Sequence, residues 1–504
     1  MRQSAQPLPA PIRVREGLVR GAEAVPGVLR HLGIPYAAPP FGPNRFRAPQ
    51  PPVPWDGVRD CTAHGPVAPQ SAELPGAPSW SPGDEDVLTL NVWSPRGGSG
   101  LPVLVWLHGG AYTFGSSAQP DFDGTVLARA GLVVVTLNYR LGFEGFGHVP
   151  GGGAEFPANR GLLDQVAALR WVAANIAALG GDPGRVTVAG QSAGATSAVS
   201  LLLREEARGL FGRVIAHSPV GPCFSGELAE EVTRTVAAQA GVVPTADGLL
   251  GASPAALVAA SDRVAAAWRQ DAGIGRRRYD PVLYGPVADG TDLPADPLAA
   301  HAAARLAGVD LLVCHTTEES RLFDAVGSTA PVETEAELAR FCADFGLPAA
   351  LPAAYRDRMP GASVPDVHLA LLGDRAFAEY SHRVADAHVR AGGRAYLSRF
   401  ARRRTAADGT PLVRAWHCAD VPFAFGNHHD PALEFLIGGP PLAGDDELSA
   451  ALVRAWAEFA ATGNPGWQPY EAGEGGPVRT WGAATADGPP REAWREVDFG
   501  PERP

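Results

Sequence analysis

A serine at a turn between a strand and a helix is the residue of this chain whose setting most clearly suits chemistry. The pentapeptide Gly190-Gln-Ser-Ala-Gly194 has the pattern Gly-x-Ser-x-Gly. An apolar run precedes it at 186–189, and a helical pattern follows from about Ala193. In that setting a sharp bend exposes the hydroxyl at the start of the helix, where free backbone N–H groups favour negative charge. The sequence therefore predicts Ser192 as a nucleophile.

A serine nucleophile needs partners, and chemistry fixes their residue types. The hydroxyl is weakly nucleophilic at neutral pH unless an imidazole lies within hydrogen-bond reach. The imidazole needs a carboxylate on its other nitrogen, which fixes the tautomer and stabilises the imidazolium. The oxyanion formed in acyl transfer needs N–H donors. The run Gly109-Gly-Ala111 would let backbone approach a substrate without obstruction by side chains.

The sequence predicts that alternating strands and helices position these groups. Runs 101–107 and 132–137 are nearly all apolar, as strands buried on both faces of a sheet are. Apolar residues at helical spacing extend from about 161 to 179 and stop at Gly180-Gly181. This order predicts an α/β fold with a mostly parallel sheet and helices on both faces. Other predicted elements are strands at 88–93, 311–314 and 394–400, an N-terminal β segment in 12–60, and helices in 226–275, 333–390 and 447–462.

Composition limits the function classes. The 504 residues carry a formal net charge of −12, and every basic side chain is arginine or histidine, with no lysine. The acidic balance argues against nucleic acid or an anionic membrane as a partner. No run approaches 18 uninterrupted apolar residues, so no membrane span is expected. Without an internal repeat or a long linker, a single domain is expected.

The cysteines and the N-terminus bear on location. Five dispersed cysteines without metal-ligand spacing indicate thiols in a reducing compartment. Residues 1–11 lack an apolar core of signal-peptide length. We therefore expect a cytoplasmic protein, with a monomer favoured.

Several separate motifs lie in order from about residue 12 to 482. Besides the serine turn, they are Leu32-Gly-Ile-Pro-Tyr-Ala37, Glu85-Asp-Val-Leu-Thr-Leu-Asn-Val92, His108-Gly-Gly-Ala-Tyr112, Asn138-Tyr-Arg-Leu-Gly142, Asn159-Arg-Gly-Leu-Leu-Asp-Gln165, Gly180-Gly-Asp-Pro183 and Phe459-Ala-Ala-Thr-Gly-Asn-Pro465. Together they resemble the motifs of the type-B carboxylesterase family. The resemblance implies an α/β-hydrolase fold over 12–482 as a single domain, with large helical insertions around the pocket and terminal extensions at 1–11 and 483–504.

Matching these motifs residue by residue implies the functional residues. The family's acid follows a short strand, and the stretch Thr316-Thr-Glu-Glu-Ser320 selects Glu319 over Glu318. The family's histidine precedes a Pro-Phe-x-Phe-Gly run, which selects His417. The resulting order of serine, glutamate and histidine is that of the α/β-hydrolases. The implied oxyanion donors are the backbone N–H groups of Gly110, Ala111 and Ala193, with Gly109, Gln191 and Ser218 in support.

The chain departs from the family pattern at four places. Gln191 stands where glutamate is usual, which removes a negative charge beside the nucleophile and disfavours a cationic, choline-like substrate. Ala68 and Val87 occupy the positions of the family's N-terminal disulfide. The acid is followed by Ser320 rather than glycine, which leaves its register open. Ser218 is expected to hydrogen-bond Glu319, although a proline follows it.

Four other features have structural and functional interpretations. His108 is expected to anchor the oxyanion loop rather than act as an acid or base. The pair His428-His429 resembles a metal-binding fragment but has no third ligand in sequence, so it is expected to be loop. Cys418 is expected to fill space rather than react. The arginine runs 276–278 and 402–404 are expected to be solvated faces rather than anion sites.

The sequence thus predicts a serine carboxylesterase that hydrolyses neutral esters through an acyl-enzyme, without metal or cofactor. An acyltransferase or a tailoring esterase of narrow specificity would use the same machinery. A non-catalytic binding member of the fold is disfavoured, because the serine, acid, histidine and glycine run are all present.

Overall fold

The computed structural model describes residues 9–71, 79–221, 223–280, 282–405, 411–413, 415–473, 476–483 and 488–504. In the part of the chain so described, ten strands form the main sheet, in the order β10-β9-β8-β7-β6-β4-β5-β3-β2-β1. In chain order they are Ala22–Val25 (β1), Val28–Pro35 (β2), Thr89–Pro95 (β3), Leu101–Leu107 (β4), Val133–Leu137 (β5), Gly181–Gln191 (β6), Arg213–His217 (β7), Asp310–Thr316 (β8), Arg394–Phe400 (β9) and Arg479–Trp481 (β10).

The sheet is mostly parallel, as the apolar runs predict. Neighbours from β10 through β5 pair in parallel, whereas β3, β2 and β1 continue the other edge in antiparallel order. The central strands β4 and β5, and β6 over residues 186–191, are almost fully buried because helices cover both faces. Shorter strands pair outside this sheet: Ile12–Arg13, Leu18–Arg20 and Val58–Asp60 in one group, Phe224–Ser225 with Val287–Ala288, and Arg404–Thr405 with Pro411–Val413.

Helices fill the connections between the strands. The long connections from β7 to β8 and from β8 to β9 carry α5–α8 and α9–α13, which are the expected helical insertions. The α-helices are Thr125–Arg129 (α1), Gly142–Phe146 (α2), Arg160–Asn175 (α3), Ala193–Leu201 (α4), Gly226–Ala240 (α5), Ala246–Gly251 (α6), Pro254–Gln270 (α7), Pro297–Ala303 (α8), Arg321–Ala325 (α9), Glu335–Asp344 (α10), Ala350–Arg358 (α11), Val364–Gly373 (α12), Glu379–Arg390 (α13), Val421–Phe425 (α14), Glu434–Ile437 (α15) and Asp445–Thr462 (α16).

Helix α3 shows how the sequence sets an element's limits. Its apolar stripe predicts a helix to residue 179, and the structure has a 3₁₀ turn, Ile176–Leu179, over the last residues. Gly180 then ends it with φ 93°, a conformation that glycine adopts without strain. The stretch Arg160–Leu179 is long and apolar enough to cross a membrane by length and composition, but most of it is buried inside the protein, as in a core helix.

The C-terminal residues beyond 487 pack on the body of the protein. The side chain of Trp494 is fully buried. The backbone N–H of Glu502 donates to Cys223, and its carbonyl accepts from Ser225. Residues 1–8 and 484–487 of the proposed terminal extensions lie outside the described residues, and the domain limits 12 and 482 stay a prediction.

The carboxyl ends of β6, β7, β8 and β9 meet at one edge of the sheet, because these strands are parallel neighbours. Open α/β sheets bind ligands at this edge. Ser192 follows β6 directly, Glu319 lies three residues beyond β8, and His417 lies in the connection after β9. The topology alone therefore brings the three predicted residues to one place.

Candidate active site

The turn at Ser192 is a strained bend between β6 and α4. Ser192 has φ 55° and ψ −124°, and α4 begins at the next residue. A side chain on Gly190 would collide with the backbone of Gly194, and one on Gly194 would collide with the end of β4. Both glycines of the pattern are required by this close packing, which leaves the serine side chain at the tip of the bend.

His417 and Glu319 form a buried hydrogen-bonded pair. Nδ1 of His417 lies 2.5 Å from Oε2 of Glu319. The other carboxylate oxygen accepts hydrogen bonds from Oγ of Ser218 at 2.6 Å and from the backbone N–H of Thr316 at 2.7 Å. These contacts hold the carboxylate in one orientation, so that it can fix the tautomer of the imidazole.

Glu318 has different neighbours. Its carboxylate accepts from the backbone N–H of Ala415 at 3.2 Å and forms an ion pair of 3.5 Å with Arg403. Ser320, which stands where the family has glycine, adopts right-handed helical angles (φ −71°) that any residue can take. The motif match left the register of this loop open at Ser320. In the structure the loop places Glu319, and not Glu318, against the imidazole.

The remaining ring nitrogen of His417 contacts a glutamine. Nε2 of His417 lies 2.9 Å from the side-chain nitrogen of Gln191. Among the described residues, Oγ of Ser192 has no hydrogen bond to His417. The residue that the sequence singles out as a departure is thus in direct contact with the nitrogen that a serine nucleophile requires.

The glycine run after β4 lies beside Ser192. A side chain on Gly109 would approach Cβ of Ser192 to 3.2 Å. Gly110 and Ala111 have positive φ angles of 108° and 50°, and in the described part of the chain their N–H groups donate to no protein acceptor. Ala193 is the first residue of α4, where N–H groups have no partner within the helix. These are the three donors that the family pattern implies.

His108 is buried behind this run. Its Nδ1 lies 2.8 Å from the carbonyl of Gly109, and its ring stacks on Tyr139 at 4.5 Å. Burial lowers the pKa of His108 to about 4, although the contact with the Gly109 carbonyl raises it. An imidazole that stays neutral and packed supports the interpretation as an anchor of the loop.

Two aromatic side chains that the sequence did not single out contact His417. The rings of Phe377 and Phe323 lie 4.4 Å and 5.3 Å from the imidazole. Phe377 belongs to a π-helical turn, Asp374–Ala378, between α12 and α13. Such turns often occur at functional sites, but no motif reveals them from sequence. The two rings form an apolar wall beside the imidazole.

The fold, the bend and the histidine–glutamate pair agree with what sequence comparison finds. A model of the Carboxylesterase family matches residues 9–475. The chain belongs to this family. It is therefore a carboxylic ester hydrolase with an α/β-hydrolase fold, as the motifs predict.

Individual relatives of this carboxylesterase align over most of their length. The para-nitrobenzyl esterase of Bacillus subtilis (strain 168) is 34% identical over 87% of each chain, and the phenmedipham hydrolase of Pseudarthrobacter oxydans is 35% identical over the same shares. The solved carboxylesterase EST55 of Geobacillus stearothermophilus superposes with a TM-score of 0.79 at 35% identity, over 96% of this chain and 99% of that one. A solved PNB esterase gives a TM-score of 0.76 at 32% identity, over 91% and 93%.

The surroundings of His417 favour its protonated form. Burial lowers the pKa of His417, but Cys418 and the Glu319 carboxylate raise it above its ordinary value. Burial also raises the pKa of the Cys418 thiol, so that the thiol stays neutral at neutral pH. The carboxylate is therefore the charged neighbour that favours a positive imidazole.

A second buried pair lies under the site of the esterase. Nδ1 of His217 is 2.5 Å from Oδ2 of Asp420, and the carbonyl of His217 accepts from the backbone N–H of Ser192 at 2.9 Å. Asp420 lies three residues after His417. The pair therefore connects the bend at Ser192 to the loop of His417. In the sequence, the only signal for this pair is that Asp420 lies three residues after His417.

The pair His428-His429 lies in a loop, as expected. The Nε2 atoms of both rings lie within 2.9 Å of one carboxylate oxygen of Asp446, near the start of α16. The carboxylate is thus a third polar group that the fold, rather than the local sequence, brings to the histidines.

The five cysteines are all free, so the loop bounded by Ala68 and Val87 is not closed by a disulfide.

Proposed function

We propose that this carboxylesterase cleaves neutral esters by forming an acyl-enzyme on Ser192. The observation that carries the proposal is the 2.5 Å contact between His417 and Glu319 at the sheet edge that holds the bend. In the proposed reaction, Nε2 of His417 takes the proton of the Ser192 hydroxyl as its oxygen attacks the ester carbonyl. Glu319 stabilises the resulting imidazolium.

The oxyanion and the second half of the reaction use groups of the same site. We assign the oxyanion to the N–H groups of Gly110, Ala111 and Ala193, which donate to no acceptor among the residues that the structure describes. The imidazolium then protonates the leaving alcohol. Water, deprotonated by the same Nε2, then attacks the acyl-enzyme. The bond between the acyl carbon and the Ser192 oxygen breaks, the imidazolium returns its proton to that oxygen, and the acid is released. These residues complete the reaction without assistance from a metal or cofactor.

Two features support a neutral substrate. The position before the nucleophile is an uncharged glutamine, and the wall beside His417 is aromatic. Relatives of the chain are named for a para-nitrobenzyl ester and for phenmedipham. We propose a small, neutral and partly aromatic ester as the substrate class.

A burst experiment tests the acyl-enzyme. Mixing the enzyme with an excess of p-nitrophenyl acetate is expected to release about one equivalent of p-nitrophenol before the steady state. A fluorophosphonate should label Ser192 with the same stoichiometry, as measured by peptide mass. Added methanol distinguishes hydrolysis from acyl transfer through the ratio of methyl ester to acid. Linear release without label would contradict the proposal.

As the pH is lowered, we expect the activity to fall at a higher pH than it would with a histidine of ordinary pKa. Catalysis needs neutral His417, and its pKa is raised. The acid limb of kcat/KM should therefore lie above about 6.5, with activity lost as the pH drops through it. A pH profile with a neutral p-nitrophenyl ester measures the midpoint. A midpoint at or below the ordinary value would show that the carboxylate does not act on the imidazole.

Charge selectivity should respond to Gln191. We expect Gln191→Glu to improve kcat/KM for a quaternary-ammonium ester relative to its neutral isostere. One charge some 6–8 Å away is worth about 2 kcal/mol at an effective dielectric near 20, or roughly thirtyfold before solvent screening. The two substrates are compared at a pH above the acid limb. If Gln191→Glu leaves the ratio of kcat/KM for the two esters unchanged, the helical insertions, and not residue 191, set the charge selectivity.

We further propose a monomeric enzyme in a reducing, cytoplasmic compartment. The five free cysteines support the compartment. In the described part of the chain six large apolar side chains are exposed, a small number that supports the monomer. Size-exclusion chromatography with light scattering tests the oligomeric state.

A further inference from the structure

The nitrogen that must take the serine proton is engaged by another side chain. Because Nδ1–H of His417 donates to Glu319 at 2.5 Å, the lone pair of the neutral ring lies on Nε2. The side-chain nitrogen of Gln191 is 2.9 Å from this atom, and both side chains are buried. The amide N–H therefore donates to the lone pair that the hydroxyl of Ser192 must reach.

The structure holds the glutamine in this position from two sides. Gln191 is the last residue of β6 and pairs in register with His217 of β7, so its backbone is fixed. Its amide oxygen occupies the space that a side chain on Gly109 would fill, since a Cβ there would lie 2.5 Å from it. The absence of a side chain at Gly109 thus makes room for the amide as well as for an oxyanion.

We propose that Gln191 is a positioning residue that keeps Nε2 of His417 from Ser192 until an ester binds. This inference rests on the proposed function of Ser192 and His417. The ring nitrogen has one lone pair in the ring plane, so it can accept from the amide or from the hydroxyl, but not well from both. The hydrogen bond from Gln191 must break before the serine proton moves to Nε2.

The contact has two measurable consequences. A hydrogen bond to Nε2 stabilises the neutral imidazole, so its loss should raise the pH midpoint of His417. Its loss should also free the nitrogen for Ser192 and increase the reactivity of the serine when no ester is bound. A net hydrogen bond of ordinary strength corresponds to about two- to tenfold in rate. A glutamine that only packs would change neither quantity in this direction.

The test is the rate of Ser192 phosphonylation by a small neutral fluorophosphonate, measured across pH. Gln191→Met keeps the length of the side chain without an N–H donor, and Gln191→Asn keeps the amide but shortens its reach. For both variants we expect a plateau rate about two- to tenfold higher and a midpoint up to about one pH unit higher. Gln239→Met, at an exposed position of α5, is the matched control and should behave as wild type.

The outcomes separate this inference from the function on which it rests. An unchanged or lower midpoint in Gln191→Met overturns the inference, whatever the plateau rate, and so does a wild-type profile in Gln191→Asn. If one variant does not fold, the other decides, with thermal unfolding as the check. A wild-type enzyme that the probe does not label would overturn the proposed function instead.

Discussion

We expect the Ser192→Ala enzyme to hydrolyse p-nitrophenyl esters about 10⁶-fold more slowly than wild type in kcat. The loss is this large because the alanine cannot form the acyl bond, and His417 and Glu319 have no separate path to the product. His417→Ala should give a loss of similar size, since the three residues act as a unit. Steady-state kinetics and active-site titration measure both.

The fold should survive the substitution. Residue 192 has an unusual backbone conformation, with φ 55°, that an alanine can take about as readily as a serine, and no hydrogen bond to His417 is lost. Ser200→Ala, on the same helix, is the matched control and should keep wild-type kcat. Near-normal esterase activity in Ser192→Ala would reject the assignment of the nucleophile.

The serine bend is predictable from sequence because its determinants are local. An apolar strand, two glycines that must lack side chains and a helix rich in small residues all lie within 186–201. The parallel sheet follows in the same way from apolar runs of strand length. Once the strands are parallel, the order of the chain brings Ser192, Glu319 and His417 to one edge.

The contacts that shape the site are not predictable in this way. Gln191 and His417 are 226 residues apart, and only the packing of two loops decides that their side chains meet. Phe377 contacts the imidazole because it lies in the π-helical turn of an insertion, and no sequence motif predicts that turn or the direction of its side chains. Asp446 approaches His428 for a similar reason, since α16 and the histidine loop contact only in the folded chain.

For the acid, the sequence offers two adjacent candidates, Glu318 and Glu319, and the directions of their side chains distinguish them. Glu319→Gln should lower kcat on the order of 10³–10⁴-fold. A glutamine can still accept from Ser218 and Thr316 through its oxygen, which turns its NH₂ group toward Nδ1 of His417. That nitrogen must then accept rather than donate, so the proton moves to Nε2 and the ring cannot act as the base.

Glu318→Gln is the matched control for this loss. The side chain of Glu318 accepts from the backbone of Ala415 and pairs with the exposed guanidinium of Arg403, whereas it is Glu319 that contacts the imidazole. An ion pair with an exposed partner contributes little, so kcat should change by less than about threefold. Both variants are measured above the acid limb of the pH profile, where the wild-type His417 is neutral. A large loss in Glu318→Gln with a small one in Glu319→Gln would move the acid by one residue, and would mean that the loop after β8 adopts a different register in the working enzyme.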